Sequence, residues 1–278
     1  MNSHILLIAS PDKKGLICII TSVLLKHDVN IISNQEFVEK ETNRFFMRTE
    51  FSGEANKEII EAGLREKLPS DAYIALLSSV KKDIVLLATK ESHCLGDLLL
   101  RNYSGELKAN IRAVISNYNF LEDLARKFDI DFHHIKQENK TREVYEQELA
   151  QILEQYKPDY LVLAKYMRIL SPLITAKYTN RIINIHHSFL PAFVGSRPYG
   201  QAHKRGVKII GATAHFVNQD LDEGPIIAQS VIPVNHSQSA FEMAQAGKNV
   251  EKIVLANALK LVLEERVFVS GNKSIIFD

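Results

Sequence analysis

The chain has 278 residues, 46% of them hydrophobic, and a formal net charge of +1. The length suits two domains at the usual size of about 150 residues each. The near-neutral charge, without a long basic run, argues against a nucleic-acid partner. No apolar run approaches the roughly 20 residues of a membrane span. The N-terminal ILLIA is broken by Pro11-Asp12, so no leader peptide is expected either. A cytoplasmic protein acting on a small molecule is the expectation. Cys18 and Cys94 both stand in apolar surroundings and are expected as buried, reduced thiols.

In chain order, HILLIAS (4–10) reads as a strand, GLICIITSVLLKH (15–27) as a helix, and VNIISNQEFVE (29–39) and RFFMRTEF (44–51) as strands about a polar turn. KEIIEAGLREKL (57–68) has amphipathic helical spacing, and YIALLSSV (73–80) reads as a strand. The order β-α-β-β-α-β is the ferredoxin-like pattern. Beyond Val80-Lys81-Lys82 the pattern becomes alternating, which puts the domain boundary there, with 1–81 before it and 82–278 after it. DIVLLAT (83–89), IRAVISN (111–117), DFHHI (131–135), YLVLAKY (160–166), RIINI (181–185), KIIGATAHFV (208–217) and IIAQSVIPV (226–234) read as strands. REVYEQELAQILEQY (142–156) is the clearest helix between them, and a long helix covers about 239–265. Runs such as IVLLA and LVLA are apolar on both faces, as strands of a parallel sheet covered on both sides are. The expected fold class is α/β, a ferredoxin-like domain followed by a Rossmann-like, mostly parallel sheet.

Ligands of such sheets bind at the carboxyl ends of strands, and the strand RIIN ends in 184-NIHHSFLPAF-193. Alternation along an extended segment turns Asn184 and His186 to one side and His187 to the other. An Asn amide and a His ring suit a carbonyl whose oxygen becomes negative during attack. A nucleophile-activating carboxylate is then needed. The turn 218-NQDLDEGPII-227 offers Asp220, Asp222 and Glu223, after a strand that carries His215. A solvated acidic turn is the competing reading. A metal held by His186, His187, His215 and Asp222 is the competing chemistry, but neither the H-x-x-x-H spacing nor a Cys pair is present. Ser188 lacks the G-x-S-x-G elbow and is read as a hydroxyl that holds the turn. His93, His133 and His134 are read as satisfied core or surface groups. No G-x-G-x-x-G follows the first strand of the large domain and no G-x-x-x-x-G-K-[ST] occurs, so NAD and ATP are disfavoured.

The segments N-I-H-x-S-x-L-P, G-A-T-A-H-F-V and L-D-E-G-P-I-I-A-Q, with 164-AKYMRILSP-172 before them, resemble the folate-dependent formyltransferase superfamily. PDKKGLICIITSVLLKHDVNIISNQEF resembles an ACT domain, a small regulatory module. This combination, with ETNRFFMRTEF, SHCLGDLLLR, GELKANIRAVISN and the second histidine of NIHHSFLPAF, resembles the formyltetrahydrofolate deformylases over nearly the whole chain. The resemblance implies hydrolysis of 10-formyltetrahydrofolate to formate and tetrahydrofolate in one-carbon and purine metabolism, with no cofactor and no metal. It implies catalytic roles for Asn184, His186 and Asp222, with Asp222 orienting and deprotonating water directly or through His186. It places the pterin against Met167, Ile169 and Leu170 and the backbone of the 219–223 turn. Arg168 faces the glutamate tail or solvent, and His187, His215, Asp220 and Glu223 complete the site.

The related glycinamide ribonucleotide transformylases carry a Gly-rich phosphate loop where this chain reads KESHCLGD, which points to water as the acceptor. The tRNA-formylating branch is expected to carry a further C-terminal domain, and this chain ends soon after its long helix. Gly195-Ser196-Arg197 and Tyr118 depart from the family pattern. ACT domains commonly pair, so a homo-oligomer is expected, with an amino-acid effector near the turn Asp12-Lys13-Lys14-Gly15. Transfer to a ribonucleotide, and an amino-acid sensor without catalysis, are the alternative readings.

Overall fold

The computed structural model describes residues 3–78, 80–192 and 198–277. Two compact units divide the chain. Met1–Val80 with Phe277–Asp278 form the first, and Lys81–Ile276 the second.

The first unit runs β1 (Ser3–Pro11), α1 (Leu16–Leu25), β2 (Asn30–Glu39), β3 (Arg44–Ser52), α2 (Lys57–Lys67) and β4 (Tyr73–Ser78). The strands form one sheet in the order β2-β3-β1-β4, with every neighbour antiparallel. Leu6 and Ile8 of β1 and Met47 and Phe51 of β3 meet Leu16, Ile20 and Leu24 of α1 and Ile60 and Leu64 of α2 in one core. The spacing 16, 20, 23, 24 fixes the buried face of α1. Cys18 falls on the opposite face and is exposed, which corrects the expectation of two buried thiols, since only Cys94 is buried.

The second unit adds β5 (Lys82–Ala88), α3 (His93–Tyr103), β6 (Ala109–Ser116), α4 (Glu122–Arg126), β7 (Asp131–His134), α5 (Arg142–Tyr156), β8 (Tyr160–Leu163), α6 (Pro172–Thr175), β9 (Ile182–His186) and α7 (Pro198–Arg205). It closes with β10 (Ile209–Phe216), β11 (Ile226–Pro233), α8 (Ala240–Leu263), β12 (Val267–Ser270) and β13 (Lys273–Ile276). Seven strands form its sheet in the order β11-β10-β9-β8-β5-β6-β7. The pairs among β5 to β9 are parallel, while β10 and β11 run antiparallel to their neighbours. Successive residues of β5 serve two cores. Ile84, Leu86 and Ala88 pack with α3 and α8, and Val85 and Leu87 pack with α5. That double burial is why the strand reads as an unbroken apolar run.

Two elements differ from the sequence expectation. The strand YLVLAKY stops at Leu163 because Lys165 takes a left-handed backbone, φ 63°. The hairpin of β12 and β13 was not expected, although Gly271-Asn272 between Ser270 and Lys273 is a two-residue turn dipeptide.

The long helix α8 opens on a capping box. The Ser239 side chain accepts from the Glu242 N–H, and the Glu242 carboxylate accepts from the Ser239 N–H at 2.8 Å. Replacing such a cap by alanine costs about 1 kcal/mol. Ser239→Ala is expected to lower the urea-unfolding free energy of the second unit by that amount with turnover unchanged, as followed by far-ultraviolet circular dichroism.

Candidate functional site

At the carboxyl end of β9, Ile182, Asn184 and His186 share one face, while Ile183 and Ile185 enter the core beneath α3 and α8. Antiparallel β10 sets His215 opposite Asn184 and Thr213 opposite His186. Because β10 runs the other way, its following turn leaves beside Ile182, where the Val217 N–H donates to the Ile182 carbonyl at 2.8 Å. The turn must therefore double back to bring its carboxylate to His186. Gly224 makes this possible, since a Cβ there would stand 1.8 Å from the Phe216 carbonyl oxygen. The Phe216 N–H then donates to the Pro225 carbonyl at 2.9 Å and closes the loop. Asp222 itself adopts a left-handed backbone, φ 58°, a conformation uncommon outside glycine that gathers at functional sites.

The result is a connected polar chain. His186 Nδ1 lies 3.2 Å from Asp222 Oδ2, and His215 Nε2 lies 3.7 Å from Asp222 Oδ1. His215 Nδ1 faces the Phe216 carbonyl at 2.9 Å, so in the neutral ring the proton sits on Nδ1 and Nε2 accepts from Asn184 Nδ2 at 3.2 Å. Burial raises the cost of charging Asp222, yet the hydrogen bond from His186 and the closeness of the His215 ring outweigh it and hold the carboxyl far below its ordinary range. His186 Nε2, the nitrogen turned away from Asp222, is buried with no hydrogen-bond partner in the protein. A buried polar atom in that state calls for a partner, which a bound substrate would supply.

These groups face a cavity of about 300 Å³ that also takes in Lys165, His187 and the 217–222 turn. Met167 and Ile169 line it with exposed side chains, 61% and 59%, while Leu170 is nearly buried at its base. The segment that carries them is pinned from behind. The Met167 N–H donates to Thr89 Oγ1 at 2.9 Å, Arg142 donates to the Ile169 carbonyl at 3.0 Å, and the Ser171 N–H donates to Glu146 at 2.8 Å. Mostly apolar walls with a few fixed polar groups suit a planar heterocycle.

The formyl transferase family matches residues 82–259. A Haemophilus influenzae protein named formyltetrahydrofolate deformylase is 53% identical over 99% of both chains, and its Escherichia coli K12 counterpart is 53% identical over 96% of this chain and 95% of its own. The crystal structure of a formyltetrahydrofolate deformylase from Pseudomonas syringae superposes with a TM-score of 0.96 at 39% identity, covering 100% of this chain and 95% of the other. The chain belongs to the formyltetrahydrofolate deformylase family.

Of the residues singled out from sequence, Asn184, His186, His187, His215, Asp220, Asp222 and the segment Met167–Leu170 all line the one cavity. Glu223 does not. It is exposed beyond the turn, with its carbonyl accepting from Asn272 Nδ2 at 2.8 Å. Arg168 is not free for solvent alone, for its guanidinium stacks 4.0 Å over the Tyr145 ring. Ser188 donates to the Ala192 carbonyl at 2.6 Å and holds the turn. His133 is satisfied by the Tyr156 hydroxyl at 2.7 Å. Gly195-Ser196-Arg197 lies outside the described residues.

Sequence reasoning missed a second polar network. Glu251 of α8 is 1% exposed, and it accepts from His93 Nε2 at 2.7 Å, from the Tyr199 hydroxyl at 2.7 Å and from Lys165 Nζ at 3.2 Å. Tyr199 reaches it by lying over Gly247, where a Cβ would stand 2.0 Å from the hydroxyl oxygen. Burial works against the Glu251 carboxylate, but its donors outweigh that and hold it at about 2. The signal was available, since Glu251 falls among the buried positions 247, 250, 254, 255 and 258 of α8. His93, Cys94 and Glu251 are close enough together to hold a cation. The chemistry does not fit one, because the Lys165 ammonium already occupies the carboxylate and burial pushes the Cys94 thiol up, away from the thiolate a metal needs.

A carboxyl group held at about 2, against 4.5 ordinarily, contributes stability that is complete above about pH 4.5 and is lost as pH falls toward 2. Glu251→Gln is expected to flatten the fall in urea midpoint between pH 5 and pH 3. The same variant leaves the Lys165 ammonium buried without its partner, so at pH 7 its midpoint should lie well below that of the wild type.

Proposed function

We propose that the protein hydrolyses 10-formyltetrahydrofolate to formate and tetrahydrofolate through the Asn184, His186 and Asp222 constellation. The observation that carries this reading is the chain Asn184–His215–Asp222–His186 along one wall of the cavity, ending at an unpartnered His186 Nε2. In this reading the pterin lies against Met167, Ile169 and Leu170, and the polar groups of the 219–222 turn meet its edge. That seats the formyl carbonyl before Asn184 and His186. His215 turns one Asn184 N–H toward itself and leaves the other to donate to the formyl oxygen. His186 donates to the same oxygen from Nε2, while Asp222 faces its Nδ1 across the ring. Both Asp222 oxygens face histidine rings, so the carboxylate acts through His186 rather than directly on the water. Donors set in advance where the oxyanion forms are the largest single contribution in such reactions.

The loop after β5 supports water as the acceptor. Where a phosphate-binding loop would be Gly-rich, His93, Cys94 and Leu95 start α3 and their side chains turn inward. The first unit supports the ACT reading, because its βαββαβ order with strand order β2-β3-β1-β4 is the ferredoxin-like arrangement. A small regulatory domain that binds an amino acid and pairs the chain into a homo-oligomer completes the proposal, with formate supply to purine synthesis as the cytoplasmic role.

Purified protein with 10-formyltetrahydrofolate alone is expected to release formate and tetrahydrofolate in equal amounts. Turnover only on addition of glycinamide ribonucleotide would make it a transferase. Asn184→Ala should lower kcat about 10²–10³-fold, as the loss of one oxyanion donor does. Asp222→Asn and His186→Ala should each cost about 10²–10⁴-fold with the fold intact by circular dichroism. Near-normal turnover in Asp222→Asn would remove the assignment.

A further inference from the structure

The second histidine of the pair has a different environment from the first. Strand β9 ends at His186, and alternation turns His187 to the other side, toward Tyr199, whose ring centroid is 6.1 Å away. The two histidine rings nevertheless lie only 5.3 Å apart, and both line the cavity. His187 also lines a smaller neighbouring cavity of about 120 Å³ with Phe189, Tyr199 and Ile210, so its ring forms the wall shared by the two spaces. Among the described residues, neither His187 ring nitrogen has a hydrogen-bond partner. His186 is met by a carboxylate, whereas His187 is not.

The groups that face His187 are cationic Lys165, anionic Glu251 and Glu91, and the His186 ring. Glu251 is already taken by Lys165, His93 and Tyr199. Burial first, and the Lys165 cation second, lower the His187 imidazole to about 4. A neutral imidazole always keeps one nitrogen with a free lone pair. A water next to the formyl carbon needs such an acceptor, and Asp222 is already engaged by histidines.

We propose that His187 binds the attacking water through its unprotonated nitrogen and takes the water's proton as the oxygen joins the formyl carbon. This rests on the hydrolytic reading above and assigns the step that reading leaves open. As the C–O bond forms, the carbonyl electron pair moves to the formyl oxygen, which is held by Asn184 and His186. Collapse then breaks the C–N10 bond, the proton passes from His187 to the departing nitrogen, and the products are tetrahydrofolate and formic acid, which ionises to formate. Two adjacent histidines divide the work. One is paired with a carboxylate and donates, and the other is kept neutral and accepts. Environments that push neighbouring titratable groups apart mark such divisions of role. Lys165 and Glu251 are positioning residues in this scheme, since their ion pair sets the field at His187.

The test compares wild type, His187→Ala and His187→Gln in steady-state formate release. Both variants are expected to lose about 10²-fold or more in kcat, the usual contribution of a general base, with KM for 10-formyltetrahydrofolate and thermal midpoint nearly unchanged. Added imidazole should restore part of the His187→Ala turnover. Wild-type-like kcat in either variant, a rise in KM alone, or loss of kcat in both without rescue by imidazole would overturn the proposal, the last by giving His187 a purely structural role. If His187→Ala fails to fold, His187→Gln decides on kcat and KM. Absence of formate release by wild type would instead count against the hydrolytic reading itself.

Discussion

The site depends on one buried carboxylate, Asp222, held between two imidazoles. Burying a charge costs much unless it is paired and hydrogen-bonded, and here both oxygens have a histidine to face, at 3.2 Å and 3.7 Å. The arrangement dictates features that look unrelated in sequence. Gly224 is required for the turn to fold back onto Phe216. Asp222 holds an unusual backbone conformation to aim its side chain. The antiparallel direction of β10 is what lets His215 and the returning turn meet His186 from the same side. Remove the carboxylate, and the orientation of the His186 ring and the purpose of the returning loop are lost together.

A second buried carboxylate organises the opposite wall. Glu251 gathers His93, Tyr199 and Lys165 from α3, α7 and the loop after β8, and so ties that side of the cavity to the long helix α8. The consequence for chemistry is a contrast. On one wall a carboxylate faces the His186 imidazole directly, at 3.2 Å. On the other, the carboxylate is spent on a lysine, and the neighbouring His187 meets the cation's field while lacking a hydrogen-bond partner of its own among the described residues. The loop after β5 runs into a helix whose first residue, His93, belongs to this network. The space is given over to internal ion pairing.

Much of this was legible in the sequence. The period-2 and period-3.6 patterns placed β1 to β4 with their two helices, and α5 was read at its observed limits, Arg142–Tyr156. Asn184, His186 and Asp222 were singled out from polar groups beside a strand end and from the family resemblance, and the structure brings them to one cavity. Three kinds of feature were not legible. Strand direction leaves no mark on an apolar run, so the reversal of β10 was invisible. Exposure within a short helix depends on which face the partner elements take, so Cys18 was misplaced. Pairings across long separations, such as Lys165 with Glu251, show only as isolated charges, although Glu251 stood among buried helix positions and invited the question. Glu223 was grouped with Asp222 by proximity in the chain, and the backbone reversal at the turn separates them.

The most direct measurement of the central claim is two-bond ¹⁵N–¹H spectroscopy of the histidine rings in the full chain at neutral pH, with Asp222→Asn for assignment. Asp222 holding His186 from behind predicts a proton on His186 Nδ1, a His186 signal that moves in the variant, and a His215 ring protonated on Nδ1. A His186 ring with its proton on Nε2 alone and a bare Nδ1 toward Asp222 would contradict the account.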